Sequence, residues 1–190
     1  MRGVNLGRGR RVKGIIFNLL EEQVVTQFGD GTWDDLLDDA ELDGAYTSLG
    51  SYDDREIMAL VGAAAAKLDK SPAEILRWFG KSAIPALALR FPAFFETPSN
   101  TRNFLLSVNT IIHPEVRKLY SGAGCPHFRF HHAGDDELVI GYSSPRKLCA
   151  LAEGFIEGTA AHYGEQVTVA HRDCMHTGAS ACQLAVQWVS

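Results

Sequence analysis

Three groups of side chains in this sequence have the types and spacing to do chemistry. The first is a set of sulfur and nitrogen donors: Cys149, His171, Cys174 and Cys182, with His176 as a rival nitrogen in the same stretch. Thiolates and imidazole are the ligands of tetrahedral zinc, and three cysteines with one histidine form a known structural set. Cys125 stands apart and reads as a plain thiol. The second group is Tyr142-Ser143-Ser144-Pro145-Arg146, at a predicted strand-to-helix junction. Ser144 suits the helix cap and Pro145 the first helical position, so free N–H groups, the positive helix end and a guanidinium would converge. Such a spot takes a carboxylate or phosphate, which arginine grips with two parallel hydrogen bonds. The same residues also describe an ordinary capped helix with a solvated arginine, and spacing alone does not choose. The third is His113, directly before Pro114 in an apolar stretch from Asn103 to Tyr120. Leu105, Val108, Ile112, Val116 and Leu119 keep helical spacing, and His113 lies on a second face with Leu106 and Asn109. Pro114 predicts a bend at His113. There an imidazole can face something lodged beside the helix, although an exposed or hydrogen-bonded histidine is the simpler account of this segment alone.

Other chemistry is missing. The sequence holds no phosphate-cradling glycine loop, no zincin histidine pair, no glycine-flanked nucleophilic serine and no Cys-x-x-Cys-His haem attachment. Acidic pairs such as Asp34-Asp35 and Asp38-Asp39 fall where a solvated face is the default. No catalytic set emerges, so the expectation is a protein that is not an enzyme.

The bulk properties agree with a soluble binding domain. The chain has 190 residues, enough to bury a substantial core in one domain. A formal net charge of −5 argues against general nucleic-acid binding. No apolar run approaches the roughly 18–20 residues of a membrane span, and Ile15-Ile16-Phe17 is too short for a signal segment. A cytoplasmic location follows, where four cysteines are thiols or metal ligands before they are disulfides. Residues 1–11, with Arg2, Arg8, Arg10 and Arg11, read as a disordered extension outside the domain.

The elements that must position these groups follow from periodicity. Helices are predicted from Val12 to Phe28, as a short turn capped by Thr32, from Asp53 or Asp54 to Leu68, and from the Ser71-Pro72-Ala73-Glu74 capping box to Gly80. A further apolar piece, Ile84 to Phe95, is broken by Pro85 and Pro92, and residues 44–54 read as an ordered loop. The first half therefore shows no clear strand. Beyond the His113 helix, Phe128–Phe130 and Leu138–Tyr142 predict a hairpin, and Gln166–Ala170 and Cys182–Trp188 two more strands. Between them lies a regular helix from Pro145 to Tyr163, with Leu148, Leu151, Ala152, Phe155 and Ile156 on one face. The fold class is α+β: a helical lobe over about 12–95 and a lobe with a small, mostly antiparallel sheet over about 96–190.

Taken together, Lys13-Gly-Ile-Ile-Phe-Asn18, Thr32-Trp-Asp-Asp-Leu-Leu37, His113-Pro-Glu-Val-Arg117 and Tyr142-x-Ser144-x-Arg146 resemble the haem nitric oxide/oxygen binding (H-NOX) domains. These are bacterial relatives of the haem domain of soluble guanylate cyclase. The resemblance covers about residues 12–188 and implies a non-covalent haem b between the two lobes. By that resemblance His113 is the iron ligand, and Tyr142, Ser144 and Arg146 hold the haem propionates. Pro126 packs on the haem, Ile16 and Leu20 line the distal side, and Pro85 joins them under a looser alignment. Cys149, His171, Cys174 and Cys182 match the zinc ligands of some bacterial members. Val12 stands where members begin with Met, which marks the basic tail as an extension.

Oxygen-binding members carry a distal tyrosine five residues after the motif arginine, where this sequence has Leu151. Leu20 stands where they often have tryptophan. Bound oxygen takes on negative charge and needs a hydrogen-bond donor, which neither leucine offers. The resemblance thus implies a nitric oxide sensor that excludes oxygen, signalling when the iron–His113 bond breaks. Its partner would be a separate histidine kinase or a diguanylate cyclase or phosphodiesterase. Rival readings are an oxygen sensor, a redox sensor built on zinc thiolates, and a haem-free, zinc-stabilised module for a hydrophobic ligand.

Overall fold

Strand β1 (Arg11–Lys13) leads directly into helix α1 (Gly14–Phe28), followed by α2 (Asp30–Asp39), strand β2 (Ser51–Asp53) and α3 (Asp54–Leu68). The computed structural model describes residues 11–132, 134 and 136–189, with the side chain of His132 left aside. It divides into two units, one ending at Leu68 and the other beginning at Asp69. The expectation for residues 1–10 lies outside the described residues, whereas Arg11 belongs to β1.

In the first unit β1 and β2 pair antiparallel, with Val12 opposite Tyr52. These strands are a departure from the all-helical first half that the sequence predicts. At three residues each they are too short to show a period, and their pairing joins residues distant in sequence. The segment before β2 supplies acceptors for the start of α1: Gly14 N–H donates to the Gly50 carbonyl and Ile15 N–H to that of Ser48, each at 3.1 Å. A Cβ at Gly14 would lie 1.9 Å from the Thr47 carbonyl oxygen, so only glycine admits this approach. Phe17 is fully buried and stacks on Tyr46 with ring centroids 4.0 Å apart. Thr32 is not a cap. It lies inside α2, its hydroxyl donating to the Phe28 carbonyl at 3.0 Å, because the chain turns back into helix already at Asp30.

The second unit contains α4 (Pro72–Arg90), α5 (Pro92–Glu96), α6 (Thr101–Ser107), a π-helical turn (Val108–Ile112), α7 (His113–Leu119), β3 (His127–His132), β4 (Glu137–Ser143), α8 (Cys149–His162), β5 (Val167–Asp173) and β6 (Cys182–Trp188). The four strands form one sheet in the order β3-β4-β6-β5. Every pairing is antiparallel. Part of the predicted hairpin turn, at Ala133 and Asp135, lies outside the described residues. Alternate residues Leu138, Ile140 and Tyr142 of β4 and Cys182, Leu184 and Val186 of β6 are buried in one cluster with Ala152 and Ile156 of α8. Each large aliphatic side chain so buried contributes about 1.5–3 kcal/mol relative to exposure.

Helix α4 starts at the predicted capping box but runs through both predicted breaks, Gly80 and Pro85. Gly80 does not stop it because it serves contact instead: a Cβ there would lie 2.4 Å from the Leu151 carbonyl oxygen of α8. Reciprocally, a Cβ at Gly154 would lie 2.0 Å from the Arg77 carbonyl oxygen, and one at Gly158 2.6 Å from that of Lys81. Pro85 has no N–H to donate to Lys81, so the helix loses one bond there. That carbonyl sits against Gly158. Three glycines thus bring α4 and α8 together backbone to backbone. α4, expected with the first lobe, falls in the second unit.

Two further expectations change near the candidate site. α8 begins at Cys149, not Pro145. Lys147 adopts a left-handed backbone (φ 52°), and its N–H donates to the Ser144 carbonyl at 3.0 Å, closing a turn that delays the helix. The chain also does not bend at His113, whose φ of −63° and ψ of −38° are helical. The irregularity lies just upstream, where His113 N–H reaches back to the Val108 carbonyl in a π turn. Pro114 then falls in the first turn of α7, where a missing donor is tolerated. The predicted apolar stripe ends early: Leu119 is 52% exposed.

Candidate functional site

The helix that carries His113 is tied down at two points. At its start, the Thr101 N–H donates to the Glu165 carboxylate at 3.0 Å, and Asn100 caps Asn103 N–H at 2.8 Å. Within the π turn, the Asn109 side chain donates to the Phe128 carbonyl at 2.6 Å and accepts from the Phe128 N–H at 3.1 Å. The Phe128 ring in turn stacks on the His113 imidazole, centroids 5.8 Å apart and planes 28° from parallel. β3 therefore fixes the height and the face at which His113 stands.

The electrostatics of His113 suit a ligand. Burial, reinforced by the positive charge of Arg117, pushes its pKa down from 6.5 to about 4, against a hydrogen bond with the Pro126 backbone. The imidazole is thus neutral near pH 7, the form that binds metal. Its Nδ1 is buried with no hydrogen-bond partner. A buried polar atom without a partner is costly and calls for a reason. A neutral imidazole of this kind has the chemistry of an iron ligand, and haem fits that requirement.

The loop before β3 joins His113 to the second group. The Pro126 backbone acts on the His113 imidazole, and two residues earlier the Gly124 carbonyl accepts from the Arg146 guanidinium at 3.0 Å. Arg146 is thereby brought beside the His113 loop, and Ser144 accepts from Arg146 N–H at 3.3 Å. The predicted convergence on a helix N-terminus does not form, since these residues occupy a turn ahead of α8. Tyr142 is 2% exposed, and its hydroxyl accepts from Leu148 N–H at 2.9 Å. It secures the start of α8 from beneath. Burial raises its pKa, so the hydroxyl stays protonated. A tyrosine hydroxyl, a serine and a guanidinium remain a donor set suited to carboxylates.

The apolar candidates lie on three helices. Ile16 is half-buried and Leu20 is buried, both on α1 of the first unit. Pro85 is exposed on α4, and Leu151 is half-buried on α8. Cys125, half-buried, has its thiol pushed up by burial.

The sulfur group converges. Cys149, His171 and Cys174 place ligand atoms within 4.8 Å of one another. Cys174 Sγ lies 3.9 Å from Cys149 Sγ and 3.9 Å from Cys182 Sγ. Tetrahedral zinc with Zn–S bonds of about 2.3 Å spaces its sulfurs by about 3.8 Å, so the spacing fits. Met175 N–H donates to Cys182 Sγ at 3.2 Å. Burial opposes a Cys174 thiolate, but the His176 backbone and the His171, Cys149 and Cys182 side chains outweigh it and lower the pKa to about 6. His176 is not in the group, its Nε2 lying 2.8 Å from the Lys147 carbonyl oxygen. No helix among the described residues is long and apolar enough to cross a membrane.

Three residues near these groups escaped the sequence reading. In the sequence Asn109 stands out only as a neighbour of His113, and Phe128 only as a strand residue. Glu153 had a signal that went unused: it lies one turn beyond Cys149, and its side chain, on the buried α8, is only 11% exposed.

A mixed fold of helices and antiparallel strands thus carries a half-buried, neutral histidine beside an arginine–serine turn. The Haem-NO-binding (HNOB) family profile matches residues 13–171. The chain is 34% identical to an H-NOX protein from S. oneidensis solved in the Fe(II)NO ligation state, with a TM-score of 0.88 over 94% of this chain and 100% of that one. An Fe(II) unliganded H-NOX protein from K. algicida is 25% identical, with a TM-score of 0.84 over 94% and 97% of the two chains. An H-NOX from Shewanella woodyi, in the Fe(II)CO ligation state with IWP-051 bound, is 29% identical, with a TM-score of 0.79 over 94% and 95%. The chain belongs to the Haem-NO-binding (H-NOX) family of haem-based gas-sensor domains.

Proposed function

We propose that this chain is a haem-based nitric oxide sensor that excludes oxygen, with residues 12–190 acting as one haem-binding domain and His113 as the iron ligand. The observation that carries the reading is the neutral His113, half-buried with its Nδ1 buried and unpartnered. Bound haem b supplies the ferrous iron at which a diatomic gas is held. Tyr142, Ser144 and Arg146 bind the propionates, for which Arg146 already stands beside the His113 loop. Pro126, whose backbone acts on the His113 imidazole, packs on the haem. Ile16, Leu20, Pro85 and Leu151 line the distal side.

Discrimination between gases rests on leucines. Neither Leu20 nor Leu151 offers a hydrogen-bond donor to the partial negative charge of bound oxygen, and distal polarity is what retains that gas. Nitric oxide needs no such help. The signal is the freeing of His113, and the helix from Thr101 to Leu119 is the element that moves with it. For this to regulate anything, a partner must bind the two states with different affinity. That partner is a separate protein, a histidine kinase or a diguanylate cyclase or phosphodiesterase. The same reading assigns structural zinc to Cys149, His171, Cys174 and Cys182, supported by the 3.9 Å sulfur spacings. Sensing chemistry of this kind needs no catalytic residue in the chain.

The test is optical. The purified, reduced protein should show a Soret band that shifts on nitric oxide addition to the position of a five-coordinate complex. His113→Ala should hold haem weakly, and with imidazole supplied it should bind gas without regulating the partner. Regulation that survives in His113→Ala with imidazole would overturn the tether.

A further inference from the structure

Glu153 is an acid in a place that disfavours acids. It lies on α8 between the sheet and α4, its side chain only 11% exposed, and it divides its two oxygens between different elements. Oε2 lies 3.1 Å from Nε2 of His171 on β5, and Oε1 lies 3.3 Å from the guanidinium of Arg77 on α4. Arg77 also pairs with Glu157, one turn further along α8. A buried carboxylate is retained at a cost unless each oxygen is matched. Here both are matched, and one partner belongs to the sulfur–nitrogen group.

A histidine that ligates a metal through one ring nitrogen normally donates its other N–H to a carboxylate or carbonyl, which fixes tautomer and ring orientation. The His171–Glu153 contact has that form. With Nε2 engaged by Glu153, Nδ1 is the nitrogen left for the sulfurs of Cys149 and Cys174, beside which His171 stands. Cys149 and Glu153 are four residues apart on one helix, so they project from the same face. A single turn of α8 thus carries both a sulfur of the group and the carboxylate that aims its nitrogen.

We propose that Glu153 is the positioning residue of the zinc site: it holds His171 as the Nε2–H tautomer with Nδ1 toward the metal, and through Arg77 it ties that site to α4. The role rests on the zinc reading. Arg77 orients Glu153 from the far side. Loss of the metal would leave this Arg77–Glu153–His171 chain with a loose end inside the second unit.

The experiment uses the purified full chain with zinc, and zinc affinity is read by competition with a chromophoric chelator. Cobalt substitution reports the ligand set through its visible ligand-field bands, and nitrogen-15 spectra of the His171 ring report the tautomer. Glu153→Ala should weaken zinc about 10–100-fold, keep the cobalt bands of a sulfur-rich tetrahedral site, and mix the tautomers of His171. Glu153→Gln, whose amide oxygen still accepts from Nε2–H, should recover most of the affinity and the single tautomer. Glu153→Asp keeps the charge but draws the carboxylate back by one methylene, and should behave like alanine where alanine fails to fold. Unchanged affinity and tautomer in Glu153→Ala and Glu153→Asp overturn the proposal. So does a cobalt spectrum that loses an oxygen ligand, which would make Glu153 a ligand itself. A wild-type chain that yields all its metal to a weak chelator overturns the zinc reading, and the positioning role falls with it.

Discussion

The side-chain amide of Asn109 engages both backbone groups of Phe128, donating to its carbonyl at 2.6 Å and accepting from its N–H at 3.1 Å. An asparagine used this way mimics a strand partner, so the π turn is joined to the edge of the sheet as if it were another strand. His113, four residues on, stacks on the same Phe128.

Asn109→Ala removes both bonds and leaves the Phe128 groups to find water. The expected cost is about 1–3 kcal/mol, read from urea unfolding. Haem spectra should broaden because His113 loses its fixed height. Unchanged stability and an unchanged Soret band would show that the clip has no hold on the ligand.

The depressed pKa of His113 gives haem-free protein a defined pH response. The unfolded chain binds this proton near 6.5, whereas the folded chain takes it only near 4. The unfolded state therefore carries more protons between those values, and stability rises with pH across that window. Unfolding midpoints of the haem-free protein should fall as pH drops from about 6.5 toward 4, with a shallower slope in His113→Ala. Equal slopes would remove His113 as the titrating group.

Oxygen exclusion is tested by air. Reduced wild-type protein should oxidise in air without a persistent oxygen spectrum, because Leu20 and Leu151 donate nothing. Leu151→Tyr should lengthen the life of that spectrum. A stable oxygen spectrum in the unaltered chain would defeat the nitric oxide assignment.

The α4–α8 contact predicts a sharp cost for one methyl group. Gly154→Ala would set a Cβ 2.0 Å from the Arg77 carbonyl oxygen, and neither backbone can yield alone. Overpacking of this sort costs about 1–3 kcal/mol, measurable by thermal unfolding. Gly62→Ala, with open space around it on α3, should gain slightly if anything.

Much of the fold was legible because it is written in local period. The Ser71–Glu74 capping box forms as read, and the sheet strands lie near the alternating segments that predict them. What failed was punctuation. Gly80 and Pro85 look like breaks in sequence, yet α8 packs against that stretch, with backbone contacts at Gly80 and at the Lys81 carbonyl, to which Pro85 cannot donate. Pro145 looks like a helix start, yet the left-handed Lys147 sets the start later. The sulfur–nitrogen group could be named from residue type, but the choice between His171 and His176 could not. It depends on the position of the Lys147 carbonyl, which belongs to the turn before α8. Asn109 and Glu153 act through groups distant in sequence, on β3 and β5, and no spacing announces them.

The π turn at Val108–Ile112 has a meaning for the length of the chain itself. A π turn holds one residue more than an α-helix needs over the same rise. Removing a single residue there would let the helix close into regular form, a deletion the fold can absorb without unravelling. The histidine beyond it would keep nearly its present direction, because the wider turn takes up the extra residue within the same sweep. The π turn is thus a place where the chain can lose a residue and still aim His113, provided Asn109 keeps its hold on Phe128.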